Sequence, residues 1–132
     1  MMNFLAKADK VTSSSEKQYA MFCGRWQPLH EGHQYIFKQS MDAGNNVLIC
    51  IRDVKPDEKN PYTAQEVLEN IEAFYKQEIH EGKVKVMVIP DICSINFGRG
   101  VGYDIIEHVV PEEIAEISAT KIREQLKLEG KL

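Results

Sequence analysis

The sequence predicts an α/β domain of three layers, α/β/α, around a mostly parallel sheet. Three observations carry this. Short apolar runs recur at Tyr19–Cys23, Val47–Ile51 and Val84–Ile89, each of the length and type of a buried strand. Helical periodicity fills the gaps between them. The connections have the length of a crossover rather than a hairpin, and crossovers build parallel sheets.

The elements follow in order. Tyr19–Cys23 is bounded by Gly24, and a loop then runs to His30, with Pro28 suited to it by its missing N–H. A helix starts at Glu31 or Gly32 and reaches Ala43, with Ile36, Phe37, Ser40 and Met41 on one face and Gly44 as its stop. After the strand Val47–Ile51, the polar loop KPDEKNP leads to Thr63, which opens a capping box with Glu66. The helix that follows carries Ala64, Val67, Leu68, Ile71, Phe74, Tyr75 and Ile79 inward, and runs to His80 before Gly82. Beyond the third strand lies a glycine-rich loop, Ile92–Gly102. A short helix is expected at Tyr103–Val110, stopped by Pro111, then a short strand at Ile114–Ile117. Ser118 opens a last helix with Ile122 and Leu126 inward. Residues 17–132 read as one domain, and 1–16, polar and without period, as a flexible N-terminal extension.

Composition narrows the function. The 132 residues are 43% hydrophobic and 27% charged, which suits a single domain with a real core. A net charge of -4 lacks the basic footprint of a duplex-DNA binder, so no nucleic-acid partner is expected. Three cysteines, Cys23, Cys50 and Cys93, have no CxxC spacing, and Cys23 and Cys50 read as core residues. No run approaches membrane-span length and the first residues lack a signal peptide's apolar core, so the expectation is a cytoplasmic protein without a membrane partner.

Ligands of open parallel sheets bind beyond the carboxyl ends of the strands. That rule collects four segments at one edge: Gly24–His33, Arg52–Pro61, Asp91–Gly102 and Ser118–Arg123. His30 and His33 are three residues apart where a strand hands over to a helix start, whose free N–H groups attract anions. Metal-binding pairs on helices are usually four apart with a third ligand nearby, so phosphate contact is the favoured role and no metal ligands are assigned.

GRWQPLHEGH resembles the HxGH signature of the nucleotidyltransferase superfamily related to class I aminoacyl-tRNA synthetases, the cytidylyltransferase-like domain. ISATKIRE, Ile117–Glu124, resembles its second signature, ISxTxxR. The resemblance spans roughly residues 18–128 and implies a Rossmann-like fold and nucleotidyl transfer with Mg²⁺ held by the triphosphate. By the same resemblance, His30 and His33 stabilise the transferred α-phosphate and Gly32 lets the nucleoside lie close. Ser118 and Thr120 hold the β- and γ-phosphates, and Arg123 neutralises the leaving pyrophosphate. The form GRxQPxHxGH with NPYTAQE is similar to archaeal-type nicotinamide-nucleotide adenylyltransferases, which makes Arg25 and Gln27 the hint toward ATP. Two positions depart from the pattern: Ala119 stands where some members have a hydroxyl, and Val67 where an arginine would follow Glu66.

The implied reaction moves an NMP unit, AMP favoured, from a nucleoside triphosphate to a small phosphorylated acceptor, nicotinamide mononucleotide foremost. The alternatives are a cytidylyltransferase using CTP on a polyol- or choline-type phosphate, and a nucleotide-binding module without turnover. On the nucleotide side the candidates are Gly24, Arg25, Trp26, Gln27, Gly32, Ser118, Thr120 and Lys121. On the acceptor side they are Arg52, Asp53, Asp91 and Arg99. Trp26 either stacks on a base or covers the sheet edge. Arg99 meets an acceptor phosphate or lies in solvent, as does Lys121 at the nucleotide. Asp53 and Asp91 contact substrate or cap loops. A homo-oligomer is left open.

Overall fold

A computed structural model describes residues 18–99, 102, 104–115 and 118–132. The expected extension, residues 1–16, lies outside them. The strands are β1 (Tyr19–Gly24), β2 (Asn46–Asp53) and β3 (Val84–Pro90), in the order β1-β2-β3 and parallel throughout. Between them lie α1 (Glu31–Asp42), then α2 (Ala64–Phe74) with the short α3 (Lys76–His80). The alternation of helix and parallel strand is the Rossmann-like α/β fold that the apolar runs predict.

Both crossovers step the same way along the sheet. Such units are right-handed almost without exception, so both helices fall on one face. Phe37 of α1 and Val67 and Ile71 of α2 share one core with Val47, Ile49 and Ile51 of β2 and Val84 of β3. The described residues thus supply the sheet and one helical layer. The opposite face carries Met21 and Met87, each about half exposed. Cys23 and Cys50 are also on it, directly opposed across β1 and β2. Both are free thiols, and burial beside Cys23 pushes Cys50 up to about 11. Cys50 is buried as expected, whereas Cys23 is only half-buried.

Three expectations are corrected. The helix expected to run on to His80 breaks at Tyr75, which has φ -101° and ψ 25° and keeps its ring in the core. Phe74, the last residue of α2, is 56% exposed. The expected helix Tyr103–Val110 is not formed: Asp104–Val110 is irregular, with Ile105, Ile106 and Val109 exposed, and Tyr103 lies outside the described residues. A lone two-turn helix is marginal unless an apolar face is buried, and here nothing buries one. Where the strand Ile114–Ile117 was expected, α4 (Glu112–Ala115) forms instead, with Pro111 accepting from the N–H of Ile114 and two glutamates in its first turn. Glu116 and Ile117 lie outside the described residues. The last helix, α5 (Ala119–Leu128), starts where Ser118 places it.

The break at Tyr75 separates the roles of neighbouring apolar residues. Ile71→Ala is expected to cost about 2–5 kcal/mol, the range for an aliphatic truncation in a tight core. Phe74→Ala should cost less than about 1 kcal/mol, near the surface range. Denaturant midpoints of the two variants check this.

Candidate functional site: a histidine-capped helix start

The N-terminus of α1 is closed by its own histidines. The backbone N–H of Gly32 donates to His30 Nδ1 at 3.0 Å, and the backbone N–H of His30 donates to His33 Nδ1 at 3.2 Å. This is a reciprocal capping box, built with imidazoles where hydroxyl and carboxylate side chains are usual. The two rings stack with centroids 3.7 Å apart. Each Nδ1 acts as an acceptor, so each neutral ring keeps its proton on Nε2. Burial holds His30 below its ordinary value, and burial with His30 alongside lowers His33 to about 3. The result is two neutral rings, each with an Nε2–H donor not used by the cap.

Glycine at position 32 has a local cause. A Cβ there would meet His30 Cε1 at 2.9 Å and Nδ1 at 3.1 Å. The missing side chain at position 32 thus leaves room for the His30 ring. Gly24 is similar, because a Cβ there would lie 2.9 Å from the Trp26 indole.

Trp26 and Gln27 both make contacts within the protein. Trp26 is buried in the core at φ 51°, anchored by its Nε1–H on the carbonyl of Cys50 at 3.0 Å, and meets His33 edge-on at 4.8 Å. The indole packs on the sheet edge against Phe37. Gln27 is 3% exposed. Its Nε2 donates to the carbonyl of Tyr62 at 2.9 Å, and its Oε1 accepts from the N–H of Tyr62 at 3.0 Å. The peptide that follows, Gln27–Pro28, is cis.

The second signature reaches this loop from α5. Arg123 donates from one nitrogen to the carbonyl of Gln27 and from another to Thr120 Oγ1 at 3.3 Å. Ser118 Oγ accepts from the N–H of Lys121 at 3.1 Å and caps α5. The structure thus joins the two signatures, 96 residues apart, through one guanidinium.

The acceptor-side candidates divide. Arg52 at the end of β2 is paired with Asp91 beyond β3, Nη2 to Oδ1 at 2.7 Å, and also donates to the carbonyl of Ile92. These two tie neighbouring strand ends together. Asp53, Arg99, Arg25 and Lys121 are exposed. Arg25 lies near Asp57, whose carboxyl is held low mainly by the N–H of Asn60, with Lys59, the Asn60 side chain and Arg25 adding to it. Asp57 Oδ1 takes the N–H groups of Lys59 and Asn60 at 2.8 and 2.7 Å, folding the loop that brings Tyr62 to Gln27. Sequence reasoning missed Asp57 and Tyr62 as organisers; the Asp-x-x-Asn turn spacing was the available signal. A cavity of about 390 Å³ opens beside Trp26, lined by Pro28, Tyr62, Val67 and Leu126. Glu66 and Glu69 also line it, and two carboxylates make it hostile to phosphate. Among the described residues no three His, Cys, Asp or Glu side chains gather as a metal cage, and no helix is long and apolar enough to cross a membrane.

With this geometry in place, the comparisons agree. Residues 21–125 match the family model described as cytidylyltransferase-like, and the chain belongs to that family. It is similar to a nicotinamide-nucleotide adenylyltransferase of Thermococcus sibiricus, 32% identical over 95 residues, 70% of this chain and 49% of the relative. A second nicotinamide-nucleotide adenylyltransferase, from Ignicoccus hospitalis, is 34% identical over 76 residues, 55% of this chain and 44% of the relative. The chain spans about half the length of the curated relatives it matches.

Two outcomes follow from the imidazole cap. Gly32→Ala is expected to lower stability by about 0.5–2 kcal/mol, the value of a lost N-cap, although alanine in a helix normally does better than glycine. Its denaturant midpoint checks this. The second concerns acid. An unfolded His33 takes its proton near 6.5, and the folded one only near 3. The unfolded state therefore binds more protons between these values, and stability falls as pH drops through that window. His33→Gln keeps an acceptor for the His30 N–H and should flatten this part of the stability–pH curve; an unchanged slope would refute the assignment.

Proposed function

We propose that this chain transfers an NMP unit, AMP favoured, from a nucleoside triphosphate to a small phosphorylated acceptor, with nicotinamide mononucleotide as the first candidate. The observation that carries the reading is the pair of neutral imidazoles with free Nε2–H donors, joined through Gln27 to the Arg123 helix. The family match and the names of the two relatives support the reaction class and the choice of ATP.

The chemistry is an in-line displacement. An acceptor phosphate oxygen attacks the α-phosphorus, the bond from that phosphorus to the bridging oxygen breaks, and pyrophosphate leaves with the electron pair. The substrate brings its own nucleophile, so the protein's task is to position anions and stabilise developing charge. His30 and His33 donate from Nε2 to the α-phosphate oxygens. Neutral donors suit this, because they follow the charge as it grows and need no proton of their own to leave. Arg123, Thr120 and the N–H groups at the start of α5 receive the leaving end. Mg²⁺ supplies charge neutralisation at the phosphates. It would be held mainly by triphosphate oxygens and water. Asp53, Asp91, Arg52 and Arg99 edge the surface where the acceptor would lie, with Arg99 the cation for its phosphate. The setting would be the cytoplasm, where ATP is supplied.

The deciding measurement is pyrophosphate release from ATP or CTP across phosphorylated acceptors. Release with ATP and nicotinamide mononucleotide is expected. Binding of neither nucleotide would overturn the reading, and binding without release on any acceptor would leave a nucleotide-binding module. His33→Ala and Arg123→Ala should each lower kcat about 10²–10³-fold, as for the loss of one preorganised donor, with the circular dichroism unchanged.

A further inference from the structure

Gln27 sits between the two signatures and uses both ends of its side-chain amide and its main-chain carbonyl. Its side-chain amide is paired in both directions with the backbone of Tyr62, at 2.9 and 3.0 Å. Its main-chain carbonyl receives Arg123. Burial removes water as an alternative partner for any of these groups. One residue therefore ties three segments: the loop after β1, the Asn60–Thr63 stretch that starts α2, and α5. The place of its carbonyl is fixed from both sides, by the Trp26 indole held on Cys50 and by the side-chain clamp on Tyr62. Among the described residues, half-buried Arg123 is anchored on that carbonyl and on Thr120.

We infer that Gln27 is a positioning residue that sets Arg123 over the leaving pyrophosphate, through its clamp on Tyr62 and its carbonyl, and makes no contact with the nucleotide base. The inference rests on the nucleotidyl-transfer reading above. It deepens that reading by assigning specificity for the β- and γ-phosphates to a residue that touches neither. An amide is required because it donates and accepts at once. A carboxylate can only accept, and would turn a lone pair toward the Tyr62 carbonyl. A protonated carboxyl group restores both functions.

The experiment compares ATP and AMP affinities by titration calorimetry in the wild type, Gln27→Leu and Gln27→Glu. Gln27→Leu should weaken ATP about tenfold while AMP changes less than about twofold, a coupling of ordinary size between contacting groups. Gln27→Glu should keep the wild-type ATP-to-AMP affinity ratio at low pH, where its buried carboxyl is neutral, and lose it as pH rises. The wild-type protein at each pH is the reference for the titration of the nucleotides themselves. In a double-mutant cycle, Gln27→Leu added to Arg123→Ala should cause no further loss in that ratio. A Gln27 that only holds the fold would weaken ATP and AMP together, and a base-contacting Gln27 would weaken AMP as much as ATP; either result overturns the inference. If Gln27→Leu fails to fold, the pH course of Gln27→Glu decides alone, and a flat course overturns it. Wild-type protein that binds neither nucleotide overturns the functional reading itself, whereas an unchanged ratio in Gln27→Leu overturns only this inference.

Discussion

Most of the site depends on two backbone N–H groups at the start of α1 finding imidazole nitrogens as acceptors. A helix start has orphan donors, and something must satisfy them. Here the acceptors are His30 and His33, at 3.0 and 3.2 Å. That choice fixes the tautomer, the stacking and the neutrality of both rings together. It also sets their neighbours: residue 32 has no room for a side chain, and His33 is braced by the Trp26 edge. Structural and chemical demands thus fall on the same atoms, since the nitrogen that caps the helix is the one that leaves the other free to donate.

Much of the fold was legible because its signals are local and repeated. The three strands, α1 and the starts of α2 and α5 lie where apolar runs, Thr63 and Ser118 put them. The failures cluster where tertiary demands outweigh period. Tyr75 keeps its ring in the core by leaving helical geometry, which no sequence period records. Asp104–Val110 has apolar residues at helical spacing without a surface to bury them.

The site was legible by membership more than by role. His30 and His33 stack on each other, and Arg123 reaches the loop before them through the carbonyl of Gln27. Gly24, Gly32, Trp26 and Gln27 belong to the same cluster, yet each acts on the protein: two glycines make room, an indole fills it, and an amide clamps a backbone. Arg52 and Asp91 read as separate substrate contacts because sequence cannot show that two residues 39 apart are paired with each other. Long-range pairings of this kind have no periodic trace, and the Tyr62 clamp on Gln27 had none either.

Trp26 has a practical consequence. It is the single tryptophan of the chain, it is buried, and its ring meets His33 edge-on at 4.8 Å. Indole emission is quenched by a protonated imidazole in contact far more than by a neutral one. The protein therefore carries its own optical gauge of the histidine pair. A change in the packing of the rings would alter the emission of this indole, and no second indole competes with it.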